Sequence, residues 1–128
     1  MSQVISTPDA PKAIGPYSQA IAVPAAGRLV FLSGQIPLDP RTGELVKGTI
    51  EEETRRVMEN LKAVLAAAGA GFEQVARTTI FLTDLADFAK VNEVYGSYLS
   101  ATPPARATVQ VAALPRGARV EIDAVAVV

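Results

Sequence analysis

The sequence predicts an α+β fold, and three features of its 128 residues carry that prediction. Several short stretches alternate apolar and polar residues with the period of a half-buried strand. Two longer stretches repeat their apolar residues at the 3.6-residue spacing of an amphipathic helix. Proline and glycine clusters separate these stretches. The order is β-β-α-β-α-β-β, which predicts a mixed β-sheet with two helices on one face. Residues 1–128 are expected to form a single domain.

Residues 7–16 contain Pro8, Pro11, Gly15 and Pro16 and read as an extended lead-in. Tyr17–Val23 reads as the first strand, ending near Pro24. Ala26-Gly27 is a turn, and Leu29–Gly34 is a second strand, the hairpin partner of the first. The unbroken run Leu29-Val30-Phe31-Leu32 predicts burial on both faces. Gly34 allows the backbone to approach a ligand or another chain, with a strand-ending glycine as the alternative. Asp39-Pro40-Arg41-Thr42-Gly43 is a turn by composition.

Thr49 and Glu52 have the spacing of a capping box, Thr49 as N-cap. The helix that follows carries Val57, Leu61, Val64, Leu65 and Ala68 on one face and ends at Gly69 or Gly71. Its charged residues read as a solvated face. Val75–Thr83 is a strand with Ala76, Thr78, Ile80 and Leu82 on one side. Asp84 or Asp87 caps the second helix, whose stripe of Phe88, Val91, Tyr95, Tyr98 and Leu99 reads as core rather than as a binding platform. Asn92 lies beside that stripe, positioned either for a ligand or for a neighbouring turn.

Pro103-Pro104 ends the second helical region, and the strand Arg106–Leu114 follows. Arg106 shares a face with Thr108 and Gln110, while Val109 and Val111 point towards a core. A guanidinium at a strand mouth is a fixed fork of donors that fits a carboxylate or a phosphate, although surface arginines are common. After the turn Pro115-Arg116-Gly117, Val120, Ile122 and Ala124 alternate with Arg119, Glu121 and Asp123 along a last strand to Val128. Glu121 between two apolar residues is an anomaly for which an edge-strand charge is the plain explanation.

What is missing narrows the chemistry. There is no cysteine, hence no disulfide, thiolate zinc site or cysteine nucleophile. There is no histidine, hence no Ser-His-Asp triad and no histidine metal site. Acid–base work falls to Glu, Asp, Lys, Tyr or the substrate itself. The net charge of −1 and the lack of a basic cluster give nucleic acid no electrostatic footing. No apolar run reaches the length of a membrane span and Met1-Ser2-Gln3 opens no signal peptide, so a soluble cytoplasmic protein is expected.

Two helices cannot cover both faces of a sheet with doubly buried strands, which makes a second copy of the chain the simplest cover. A tight hairpin of the last two strands would set Val111 opposite Glu121 and leave Arg106 roughly 17 Å away. Arg106 and Glu121 would then meet only if the strands are not hairpin neighbours or if a site is built across two subunits.

Motifs along the chain sharpen this reading. Ala13-Ile14-Gly15-Pro16-Tyr17-Ser18-Gln19-Ala20, Ser33-Gly34-Gln35-Ile36-Pro37 and Asp39-Pro40-x-Thr42-Gly43 come first. Asn60-Leu61, Thr79-x-Phe81-Leu82-x-Asp84, Asn92-x-Val94-Tyr95 and Pro104-Ala105-Arg106 follow. Leu114-Pro115-x-Gly117-Ala118-x-Val120-Glu121-Ile122 closes the series. In order and spacing, over nearly the whole chain, these resemble the RidA family, also called YjgF, the small reactive-intermediate deaminases.

The resemblance implies a chorismate-mutase-like subunit in a homotrimer, with the sheets forming an inner barrel and ligand sites in the clefts between subunits. It implies hydrolysis of 2-imino acids, such as 2-iminopropanoate and 2-iminobutanoate, to 2-oxo acids and ammonia, with no cofactor and no metal. Such an enzyme clears reactive by-products of pyridoxal-phosphate enzymes. The family's carboxylate-binding arginine falls on Arg106, its water-positioning glutamate on Glu121 and its site tyrosine on Tyr17. Ser33 and Gly34 match the strand end that lines the cleft, Thr108 a position often held by cysteine or threonine, and Asn92 completes the substrate-binding set. Ala107 and Asp123 depart from the usual serine and glutamate. The rival readings are a non-catalytic binding protein for a small carboxylate such as a 2-oxo acid, and a ribonuclease-like or translation-inhibiting interaction protein. The missing histidine and basic patch weigh against the last.

Overall fold

A computed structural model of the chain describes residues 3–10, 12–24 and 27–128. Four strands form the main sheet: β3 (Leu29–Gln35), β4 (Val75–Leu82), β5 (Ala105–Gln110) and β6 (Val120–Val127). Two helices, α1 (Ile50–Ala67) and α2 (Phe88–Ser97), complete the body of the domain. The strand order is β3-β6-β4-β5, with β4 and β5 parallel and the other pairs antiparallel. The sheet is therefore mixed, as expected. A separate ribbon pairs β1 (Gln3–Ile5) with β2 (Ala20–Ala22).

Alternation places the core. Thr78, Ile80 and Leu82 of β4 and Val120, Ile122, Ala124 and Ala126 of β6 are buried on one face. Val57, Met58, Leu61 and Leu65 of α1 and Val91 and Tyr95 of α2 pack into the same core. Both helices thus lie on that face. Thr49 and Glu52 form the capping box reciprocally at the start of α1. At its end Gly69, at φ +77°, closes a Schellman turn in which Ala70 N–H donates to the Leu65 carbonyl at 2.8 Å.

Several expectations require correction. The first two predicted strands are not a hairpin: β2 pairs with β1, and β3 pairs with β6. Tyr17 and Ser18 stay outside a strand because their N–H groups donate to Gly15 and Pro104 carbonyls instead. Gly27 adopts φ +129°, while Ala26 of the predicted turn lies outside the described residues, as does Pro11 of the lead-in. Within a single chain β3 is covered on one face only, with Phe31 73% and Leu29 61% exposed on the face for which a second copy is the expected cover. Val109, 40% exposed, lies on the same helix-free face and outside the core of the single chain.

The last two strands are not neighbours either, because β4 lies between β5 and β6. Strand β6 is an inner strand, so Glu121 is no edge-strand charge. Not every charge on α1 is solvated. Glu53 is buried and accepts hydrogen bonds from Arg119, whose guanidinium also donates to the Gly48 carbonyl at 2.7 Å. That pairing raises the Arg119 pKa, chiefly through the hydrogen bond to Glu53. Asp84, not Asp87, supplies the side-chain cap before α2, accepting from Ala86 N–H at 2.9 Å.

Candidate active site

Arg106 begins on β5 beside Thr78 of β4, on the helix side of the sheet. Because β5 is an edge strand, its side chain lies at the margin of the core, under α2. The helical spacing of Phe88, Asn92 and Tyr95 brings all three to it. Its guanidinium carbon lies 5.2 Å from the Tyr95 ring centre, 5.6 Å from Phe88 and 5.3 Å from Tyr17. Those separations are within cation–π range. Arg106 Nη1 donates to Asn92 Oδ1 at 2.5 Å.

Two features leave this cation open to an anion. Among the described residues no carboxylate forms an ion pair with it. Burial lowers its pKa, opposed by Tyr95 and Tyr17. Burial in turn raises the pKa of the Tyr95 phenol, against its hydrogen bond with Thr78 and the charge of Arg106. Tyr95 is therefore neutral at ordinary pH and presents a ring, not a counter-charge. An unpaired guanidinium in a partly desolvated site gains strongly from a bidentate acid.

The space beside it is a pocket of about 360 Å³ lined by Ile14, Gly15, Tyr17, Phe88, Asn92, Arg106 and Thr108. Thr108 Oγ1 is buried and has no hydrogen-bond partner among the described residues. It lies two residues from Arg106 on the same strand face and lines the same pocket. A bound acid would satisfy both groups.

The lead-in builds the remaining wall. Ser18 is buried, and its hydroxyl donates to the Pro103 carbonyl at 2.5 Å while its N–H donates to Pro104 at 3.2 Å. Pro16 packs against Gly96 of α2, where a Cβ would come within 3.4 Å of the proline ring. Tyr17 OH accepts from Ile14 N–H at 3.3 Å. These contacts fasten Gly15–Ser18 to the chain just before Arg106 and hold the Tyr17 ring against the guanidinium.

Glu121 lies elsewhere. It pairs with Phe81 of β4, whereas Arg106 pairs with Thr78. The two are three residues apart along β4, about 10 Å, and on opposite faces of the sheet. Ser33 and Gly34 belong to Glu121's side, in a bulge where β3 shifts register against β6 between Leu32 and Gln35. Of the residues expected to form a site, Arg106, Tyr17, Asn92 and Thr108 come together, and Glu121 and Gly34 come together on the other face.

Sequence reasoning gave no site role to Phe88, Tyr95, Gly15 or Ile14. The spacing of residues 88, 92 and 95 around Asn92 held the signal for the first two. Among the described residues no group of three or more acidic side chains is arranged to hold a metal ion. None of the described helices is long and apolar enough to cross a membrane.

The site is thus a partly buried arginine with no ion-pair partner among the described residues, beside a small pocket on an α+β subunit, and its chemistry suits a small organic acid. The chain belongs to the family described as Endoribonuclease L-PSP, whose model matches residues 7–128, and which is the RidA (YjgF) family. It is 66% identical to Protein DfrA of Myxococcus xanthus over 98% of this chain and 95% of that one. It is 53% identical to the 2-iminobutanoate/2-iminopropanoate deaminase of Mus musculus, covering 98% of this chain and 90% of that one. The fold is similar to that of E. coli TdcF solved with bound serine, with TM-score 0.75, 44% identity and 98% of each chain covered.

Proposed function

We propose that this chain is a cofactor-free deaminase that hydrolyses 2-imino acids such as 2-iminobutanoate and 2-iminopropanoate to 2-oxo acids and ammonia. The unpaired Arg106 in its aromatic box, beside the unsatisfied Thr108 hydroxyl, is the observation that carries this reading. The mouse relative is named for that activity, and the TdcF structure holds an amino acid, which bears the same carboxylate handle.

In this reading Arg106 grips the substrate carboxylate through two parallel hydrogen bonds. Asn92 holds one end of the guanidinium, and Thr108 supplies a further hydrogen bond. The fixed carboxylate presents the imine carbon to a water held by Glu121, so that a bimolecular encounter becomes a positioned one. Glu121 takes a proton as the water oxygen bonds to the protonated imine carbon, giving a carbinolamine. It returns that proton to the amino nitrogen. The C–N bond then breaks as the hydroxyl proton passes back to Glu121, leaving the 2-oxo acid and ammonia, and ammonia takes the proton to leave as ammonium.

Arg106 and Glu121 face opposite sides of one sheet, so this chemistry requires two chains. A homotrimer in which the helix-free faces form an inner barrel meets that need and covers Phe31, Leu29 and Val109. Burying a phenylalanine side chain is worth about 2 kcal/mol, so such a face favours association. Tyr17 shapes the wall on the Arg106 side, and Ser33 and Gly34 lie on the Glu121 side. A cytoplasmic setting fits a scavenger of metabolic imines.

The test is clearance of 2-iminobutanoate generated by an amino-acid oxidase, with semicarbazide competing for the imine. The native protein accelerates imine loss. Arg106→Ala lowers kcat/KM by at least about a hundredfold, the value of two charge-assisted hydrogen bonds. An Arg106→Ala variant with near-native kcat/KM overturns the reading.

A further inference from the structure

The water-holding role of Glu121 needs its carboxylate in a fixed place, and the packing around β3 shows what sets that place. The side chain of Glu121 crosses from β6 to lie over Gly34. A Cβ built on Gly34 would fall 2.1 Å from Glu121 Oε2, 2.8 Å from its Cδ and 3.1 Å from its Cγ. These are the three nearest atoms to that position, and all belong to the glutamate. The backbone does not itself demand glycine here. The glycines with positive φ are Gly27, Gly43, Gly69 and Gly117, so Gly34 has a conformation open to any residue. What glycine supplies at this position is room.

The bulge explains how that room arises. Leu32 pairs with Ala124 and Gln35 with Ile122, so Ser33 and Gly34 together oppose Asp123 alone. The extra residue brings the bare Cα of Gly34 beneath the neighbouring glutamate, and the strand resumes its alternation at Gln35. We infer that Gly34 is a positioning residue for the reaction: its missing side chain is the seat that fixes the Glu121 carboxylate. This inference rests on the catalytic reading of Glu121 given above. It assigns Gly34 a role that acts through Glu121 rather than through ligand contact.

The experiment is a double-mutant cycle of Gly34→Ala and Glu121→Ala, measured by imine clearance and by thermal unfolding. Alanine at position 34 pushes the flexible glutamate aside. A displacement of about 1 Å lowers a positioned reaction on the order of a hundredfold. Gly34→Ala should lower kcat at least about tenfold while KM and affinity for 2-oxobutanoate change less than about twofold. In the Glu121→Ala background the same substitution has no further effect on kcat, because no carboxylate remains to displace.

A Gly34→Ala protein with native kcat overturns the inference. So does an equal further loss in the Glu121→Ala background, which would mean that the methyl acts on the ligand directly. A Glu121→Ala protein with native kcat removes the catalytic reading of Glu121 itself, and the inference falls with it. Should Gly34→Ala alone not fold, the cycle still decides. Recovery of folding when Glu121→Ala is added locates the clash at the glutamate, and failure in both backgrounds overturns the proposal.

Discussion

The two faces of the main sheet are made from the same four strands, yet one chain finishes only one of them. On the helix side the arginine pocket has its aromatic box, its asparagine partner and a stapled wall, all from residues of a single chain. On the other side Glu121 sits over a bulge, in an uncovered face with Phe31 73% exposed. In the proposed reading the finished half grips the substrate's charge, and the unfinished half carries the group that moves a proton. In that reading the difference locates where a second copy acts. A site assembled from two such halves exists only in the oligomer, so activity and assembly are predicted to fail together.

The largest effect expected from the comparison comes from the open face. Phe31→Glu places a charge where the account buries an apolar ring. Light scattering should then show monomers of 13.4 kDa in place of trimers. Imine clearance should fall at least about a hundredfold while 2-oxobutanoate still binds weakly at Arg106. Monomers with native activity would mean that one chain is enough.

On the finished face a smaller effect is expected. Asn92→Ala releases one end of the guanidinium, which keeps its three rings. KM should rise about tenfold with kcat within about threefold of native, as for one lost hydrogen bond to a charged group. An equal fall in kcat with KM unchanged would assign Asn92 to the reacting centre instead.

The smallest effect lies behind the pocket and touches stability alone. The Tyr98 hydroxyl donates to Glu59 at 2.8 Å, and burial first, then that hydrogen bond and the carboxylate's charge, push its pKa up to about 12. A phenol whose pKa rises on folding contributes stability below its unfolded value of about 10. That contribution is lost as the pH climbs through about 12. Tyr98→Phe should therefore show a shallower fall of Tm between about pH 10 and 12, with identical curves for the two proteins excluding the mechanism.

How much of this was legible in the sequence depends on how local each signal was. The capping box of Thr49 and Glu52, the Asp39–Gly43 turn and the alternation of Val120–Ala126 are short-range patterns, and all three appear as expected. Strand order is not local. Nothing in Arg106–Val128 alone announces that β4 separates β5 from β6, so of the two alternatives left open for those strands only the structure selects the non-adjacent one. What covers Phe31 and Val109 was not legible, because an apolar strand face looks the same whether a helix or another chain packs on it. The aromatics of α2 were read as core, which is true of Tyr95, yet Tyr95 also faces the guanidinium. The family motifs supplied Arg106, Glu121 and Tyr17 as candidates, but not that they lie on two faces.

The most direct measurement is complementation between two impaired variants. Arg106→Ala and Glu121→Ala proteins are unfolded together, refolded as mixed oligomers and assayed for 2-iminobutanoate clearance beside each variant refolded alone. A site built from the arginine of one chain and the glutamate of another predicts that mixed oligomers regain a substantial part of native activity while each variant refolded alone keeps only its own low rate. Mixed oligomers as inactive as their parents would contradict the account and return both residues to a single chain.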